Sequence, residues 1–208
     1  MKDVLVVVRA ALGDIWDNLL VAAVCNLVWL VCVFLIIPGP LATLALFDIS
    51  NRLAHGEVVD LHDFVEAMRR NWGLSWRWAI PAIALIAILF GDYQLTRSLS
   101  GAPLEHFVQG FYLSILAIWA FIQIYALPFL FEQESENLKL AWRNAAIMLG
   151  KNLWFSILLA ALLAAILLTG TLLFMLSAAG GGIFLALAGN YAVRNRLEVE
   201  RFAPGRRS

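Results

Sequence analysis

The chain is 208 residues long, 62% apolar and 14% charged, and its fifteen cations cancel its fifteen acids. A typical soluble domain is about 45–50% apolar and about 25% charged, so this composition leaves too little polar surface for a water-soluble monomer. Zero net charge gives no bulk field for a polyanion such as nucleic acid, and two cysteines do not make a disulfide scaffold. What remains is an integral membrane protein, read as an all-α polytopic helix bundle in a single membrane domain.

Residues 1–18 read as an N-terminal segment, with Met1 to Asp17 as a short interfacial helix anchored by Trp16. No removable leader is expected, because Asp3, Arg9, Asp14 and Asp17 precede a long apolar run without a clear small-residue cleavage site. Leu19 to Phe47 is 29 residues without Asp, Glu, Lys or Arg, Phe107 to Phe131 is another 25, and Asn152 to Val193 is 42. A hydrocarbon core of about 30 Å needs roughly 20 apolar residues as helix. Residues 19–47 and 107–131 are therefore expected to span once each, as spans 1 and 3.

The longest run holds two spans, 153–176 and 178–193. Thr169-Gly170-Thr171 and Ser177 through Gly182 are both candidate turns. The second is preferred, since consecutive glycines break a helix more strongly than one. Trp78 to Gly91 has only 14 uncharged residues. It becomes span 2, over 76–93, if Arg77 snorkels and Trp72, Trp76 and Trp78 sit at the interface. Counting it as a span divides the cations 12 to 3 between the two sides; leaving it out divides them 10 to 5. The positive-inside rule favours the first division. The expectation is five spans in a bacterial inner membrane, with the N-terminus outside and the C-terminus cytoplasmic.

The cytoplasmic segments have patterns of their own. In the linker 48–75, Leu61, Phe64, Val65, Met68 and Trp72 fall at helical spacing, and Asp60 can cap the start. Leu138, Trp142, Ala145 and Leu149 repeat the spacing within 132–152. Both read as cytoplasmic amphipathic helices at the interface, and a basic tail follows over 194–208. Phe64, Ala67 and Trp76 match Trp142, Ala145 and Trp154 at an offset of 78. That offset reads either as a duplicated two-span unit or as what any span preceded by an interfacial helix looks like. Prolines mark the span exits, with Pro38 and Pro40 ending span 1 and Pro128 ending span 3.

Chemistry is sparse. No ionisable group lies inside an expected span, which argues against an acidic proton relay. Asn26 and Gln123 are the deepest amides, and with Asn190 they are candidates for a polar site or for interhelical hydrogen bonds. Ala178, Gly182, Ala186 and Asn190 set small or polar groups at every fourth residue, the spacing of close helix approach. Cys25 and Cys32 lie about 10 Å apart along one helix, too far for a mutual disulfide. His55, His62 and His106 form no ligand cluster, and no catalytic motif is found. No catalytic, cofactor-binding or metal-binding residue is assigned and no cofactor is expected. The low-grade candidates are Asn26, Trp29, Pro38, Gly39, Pro40, Gln123 and Asn190. Glu66-Ala67 followed by Gly73 resembles the Glu-Ala-Ala docking loop of sugar-importer permeases. Its glycine comes one residue late, Met68 replaces the second alanine, and the chain is smaller than such permeases, so the likeness reads as a coincidence of a short pattern.

Asn26 with Trp29, Gly39-Pro40-Leu41-Ala42-Thr43-Leu44-Ala45-Leu46-Phe47, Asp63-Phe64 with Ala67, and Asn71-Trp72 resemble the YesL-like family of small bacterial membrane proteins. Gly182 to Asn190, followed by basic residues, is similar as well. Family members typically carry a threonine and a proline shortly before the Gly-Pro; Phe34 and Ile37 stand there instead, so no role of that threonine carries over. The resemblance implies a multi-span inner-membrane protein linked to carbohydrate uptake, with no catalytic residues. The expected function is a non-enzymatic accessory component with a membrane partner such as a sugar importer. The alternative is a small transporter or channel with a polar site near the span 1 break. The lipid bilayer is the one certain surrounding, nucleic acid is not a partner, and the sequence leaves the oligomeric state open.

Overall fold

A computed structural model describes the backbone of residues 2–99, 102–172 and 175–202, and the side chains of 2–95, 106–169 and 182–197. Among the described residues the structure is all helix: α1 (Lys2–Asp17), α2 (Leu19–Phe34), α3 (Gly39–Ala54), α4 (Leu61–Arg70), α5 (Trp72–Leu99), α6 (Ala102–Glu132), α7 (Leu138–Lys151), α8 (Leu153–Leu172) and α9 (Met175–Phe202). Two helices, α5 and α6, are long and apolar enough to cross a bilayer. Counting α1–α2 and α7–α8 as bent spans, with bends of 97° and 100°, raises the number to four.

A local device makes the bends. Single asparagines, Asn18, Asn71 and Asn152, join α1 to α2, α4 to α5 and α7 to α8. Each donates its N–H back to the residue four before it, Asp14, Ala67 or Met148, at 3.0 Å. Each accepts at its carbonyl from the residue four after it, Ala22, Ser75 or Ser156, at 2.8–2.9 Å. The asparagine is thus the last residue of one helix and the first of the next, so little backbone hydrogen bonding is lost at the turn. Asparagine suits the position because its short amide satisfies local groups: Nδ2 of Asn18 and Asn152 returns to the carbonyls of Asp14 and Met148 at 3.1 and 3.3 Å.

Burial keeps the same register in all three units. Ala11, Phe64 and Ala145 lie seven residues before the asparagine, Ala22, Ser75 and Ser156 four after it, and all six are buried. The repeat is therefore threefold, and its second and third units are offset by 81 rather than 78. Phe64 corresponds to Ala145, not to Trp142.

The segment expected as one span over 19–47 is a hairpin. The chain turns at Leu35–Pro38, and α3 returns along α2, with Trp29 Nε1 donating to Thr43 Oγ1 at 3.1 Å. The turn contains only Leu, Ile and Pro, which hid it within a continuous apolar run. Leu35, Ile36, Ile37 and Gly39 each donate their N–H to a nearby backbone carbonyl, and Pro38 and Pro40 have none to donate. The turn is apolar and exposed, and its N–H donors are satisfied locally.

Helix α9 is the centre, packing on α1, α2, α3, α6 and α8. It begins at Met175 and runs straight through Ser177–Gly182, so the preferred turn falls inside a helix. The reason is packing: a Cβ on Gly182 would meet Asn26 Oδ1 at 2.7 Å and Trp29 Cε3 at 2.9 Å. A Cβ on Gly189 would likewise meet the Ile124 carbonyl oxygen and Pro128 Cγ at 2.9 Å. Pro128 accordingly lies inside α6, with its ring against that notch, and does not end the helix.

Both terminal helices meet at one end of the bundle. Tyr191 donates to Asp14 Oδ2 at 2.6 Å, Arg196 pairs with Asp3 at 2.9 Å, and Arg194 donates to the Ala54 carbonyl. These contacts hold α1 and the C-terminal part of α9 at the same end of the bundle. Helices α4 and α7 occupy this same end, called here the base, where α4 packs on the C-terminal half of α3 through the Arg52–Asp63 and Asp48–Arg70 pairs and α7 on α6.

Candidate functional site

The candidate residues separate into three groups. In the first, Asn26 is fully buried and accepts the Gly182 N–H at 2.7 Å. Trp29 donates to Thr43, whose hydroxyl donates to the Gly39 carbonyl at 2.9 Å. Pro38 caps α3 and Pro40 lies in its first turn, where a missing N–H costs nothing. A Cβ on Gly39 would come within 3.3 Å of Val33 Cα, so glycine is what brings the hairpin arms together there. These polar atoms are occupied in closing α2, α3 and α9 on one another.

Gln123 stands apart from that group. Its Oε1 accepts from Trp78 Nε1 at 2.9 Å, tying α6 to α5, while its buried Nε2 has no hydrogen-bond partner.

The third group is the largest and lies at the base. Asn51 Nδ2 donates to Asn190 Oδ1 at 3.2 Å and to Glu132 Oε1 at 3.0 Å, joining α3, α9 and α6. Asn190 also donates to the Ala186 carbonyl at 2.9 Å. His55 donates from Nδ1 to the Asn51 carbonyl at 2.8 Å, and its Nε2 lies 3.6 Å from Glu132 Oε1. One helical turn before Asn51, buried Asp48 takes Arg70 at 2.5 Å and Asn71 Nδ2 at 3.0 Å. At the start of α4, Asp60 and Asp63 cap each other's backbone N–H at 2.9 Å, and Arg52 reaches Asp63 at 3.2 Å. The backbone N–H of Asp60, and then Arg52, hold the Asp63 carboxyl below the usual carboxylate range.

Apart from Asn190 and the Asp60 cap, sequence reasoning misses this network. Asp48, expected as the first residue of the cytoplasmic linker, lies within α3 and is buried. The available signal was helical spacing: Asp48, Asn51 and His55 follow the apolar run at intervals of three and four, one face of a continuing helix.

At the base, the carboxylates of Asp48, Glu132, Asp63, Asp14 and Asp3 are met by Arg70, Asn51, Arg52, Tyr191 and Arg196 in turn, and the His55 imidazole by a carbonyl and a carboxylate. Among the described residues no group of three His, Cys, Asp or Glu side chains could hold a metal ion. No family model, curated protein or solved structure matches this chain.

Proposed function

We propose that the chain is a non-enzymatic, multi-pass protein of a bacterial inner membrane that acts by binding a membrane partner on its cytoplasmic face, within carbohydrate uptake. Three hairpins, α2–α3, α5–α6 and α8–α9, enter the bilayer from that face; α1, α4 and α7 lie along it. The observation that carries this reading is the polar network at the base. It draws buried Asp48, Asn71 and Asn190, with partly exposed acids and cations, into interhelical pairs, which builds a platform whose outward side is charged. Glu66 and Arg69 on α4, and Lys139 and Arg143 on α7, are exposed there. Resemblance to YesL-like proteins supplies the importer as the partner.

Purification in mild detergent after cross-linking from α4 tests the reading. An importer subunit recovered with the wild type, and lost with Glu66→Lys plus Arg69→Glu, is the expected result. Recovery of the chain alone removes the proposal. The buried, unpartnered Nε2 of Gln123 favours a second reading, a polar path between α5 and α6. Sugar or ion flux through the reconstituted protein, abolished by Gln123→Leu, would replace the first reading with this one.

A further inference from the structure

Two clefts flank the base end of α9, one on each side. The first, about 200 Å³, lies between α1 and α9 and is lined by Ala10, Tyr191 and Arg194 among others. The second, about 250 Å³, lies between α7 and α9 over the end of α6, lined by Phe129, Asn144, Ile147, Lys151, Arg196 and Leu197. The threefold repeat makes them comparable. Ala10 and Asn144 both stand eight residues before their elbow asparagines, and Asp17 and Lys151 one before. In the first cleft, Arg194 is taken by the Ala54 carbonyl and Tyr191 by Asp14. The second has an amide where the first has a methyl group, and a lysine where α1 has an acid.

Arg196 is held in place there. Its guanidinium lies 3.8 Å over the Phe155 ring, and one terminal nitrogen pairs with Asp3 at 2.9 Å. Its Nε is buried without a hydrogen-bond partner. Planar guanidinium donors match phosphate oxygens in pairs, and an ammonium nearby adds charge without fixed geometry. Drug-sized ligands need about 300–1,000 Å³, so 250 Å³ suits a headgroup better than a whole soluble ligand. Helix α7 meets α8 at 100°, so if α8 crosses the bilayer, α7 lies along the headgroup layer. Leu153 and Trp154, 54% and 78% exposed just beyond Lys151, offer acyl chains an apolar path away from the cleft.

We infer that the α7–α9 cleft binds the phosphate of an anionic phospholipid, with Lys151, Asn144 and Arg196 on the headgroup and its chains along the start of α8. Basic pockets between helices at a membrane surface suit such headgroups. The proposal does not depend on the partner reading above.

The test uses the full chain in nanodiscs of phosphatidylcholine with phosphatidylglycerol, released into detergent and weighed by native mass spectrometry. Preferential retention of phosphatidylglycerol is expected. Lys151→Gln should lower it about fivefold, the effect of roughly one surface cation. Arg196→Gln should lower it at least as much, and Arg196→Lys should restore part. Arg9→Gln, which changes an exposed α1 cation outside the cleft, should leave it unchanged. Equal retention of both lipids, or equal effects of Lys151→Gln and Arg9→Gln, overturns the proposal. A soluble source is separated by adding inorganic phosphate or glycerol phosphate: loss of lipid retention at millimolar concentrations would assign the cleft to a free phosphate and overturn the lipid reading.

Discussion

Gly182 and Gly150 are both helical glycines, and they are expected to respond oppositely to substitution. At Gly182 an added Cβ meets the oxygen of buried Asn26 and the ring of half-buried Trp29, whereas at Gly150 nothing lies within 4 Å. Gly182→Leu should therefore overpack the α2–α9 contact, at about 1–3 kcal/mol for extra methylenes in a packed core, and break the Gly182–Asn26 hydrogen bond. Gly150→Ala should stabilise slightly, by less than the roughly 0.5–1 kcal/mol that separates glycine from alanine in a helix interior, because Gly150 stands one residue before the end of α7. Thermal unfolding in detergent reads both. Equal shifts of Tm would mean that α9 does not sit against Asn26. Ile36 is another residue whose local role was invisible in sequence: its φ of 64° places a β-branched side chain in the left-handed region. That strain, of order 1–2 kcal/mol, is tolerated where the hairpin must reverse within four residues.

Among the elements, α4 shows how a short helix is fixed by its ends. Only Phe64 and Ala67 are buried along it, so its ten residues depend on the cap and on Arg52 and Asp48. Asp60→Ala should remove about 1 kcal/mol by uncapping the Asp63 N–H. Because the folded Asp63 carboxyl titrates below its ordinary value, its contribution is fully present above about pH 3.9. It is lost as pH falls through the lower, folded-state value. Amide exchange at Asp60 and Phe64 should therefore accelerate below that window, and Asp63→Asn should flatten the dependence. A flat profile in the wild type would mean that the capping pair does not form.

This element also marks what sequence could and could not give. Helical spacing from Leu61 and the Asp60 cap were legible because both are local patterns. The α2–α3 turn was not, since its signal is a reversal between two apolar segments, and apolar periodicity is blind to direction. Gly180 to Gly182 misled for a related reason: a glycine that admits a neighbouring helix and one that breaks its own helix look the same in one dimension. The base network was unreadable because its partners, Asp48 with Arg70 and Asn51 with Asn190, lie on different helices.

At the scale of the whole molecule, the hairpin changes the charge map. The count of 12 to 3 placed Lys2 and Arg9 opposite most other cations. With α1 against the base end of α9, Lys2 and Arg9 join Arg52, Arg69, Arg70, Lys139, Arg143, Lys151, Arg194 and Arg196 at one end. Arg97, near the end of α5, stands at the other. Of these named cations, ten stand at the base end and one at the other. Its geometry is also short on one side: α2 and α3 have 16 residues each, about 24 Å at 1.5 Å per residue, less than a hydrocarbon core of about 30 Å. The apolar turn at Leu35–Ile37 should then lie below the far headgroups instead of emerging into water. Reporters fused before Met1 and after Ser208 should both read cytoplasmic, and one inserted near Gly101 should read external. A cysteine at Ile36, with Cys25 and Cys32 replaced by serine, should resist a membrane-impermeant maleimide from either side. Opposite signals from the two termini would restore the single crossing over 19–47, and rapid labelling at Ile36 would make α2 and α3 two full spans.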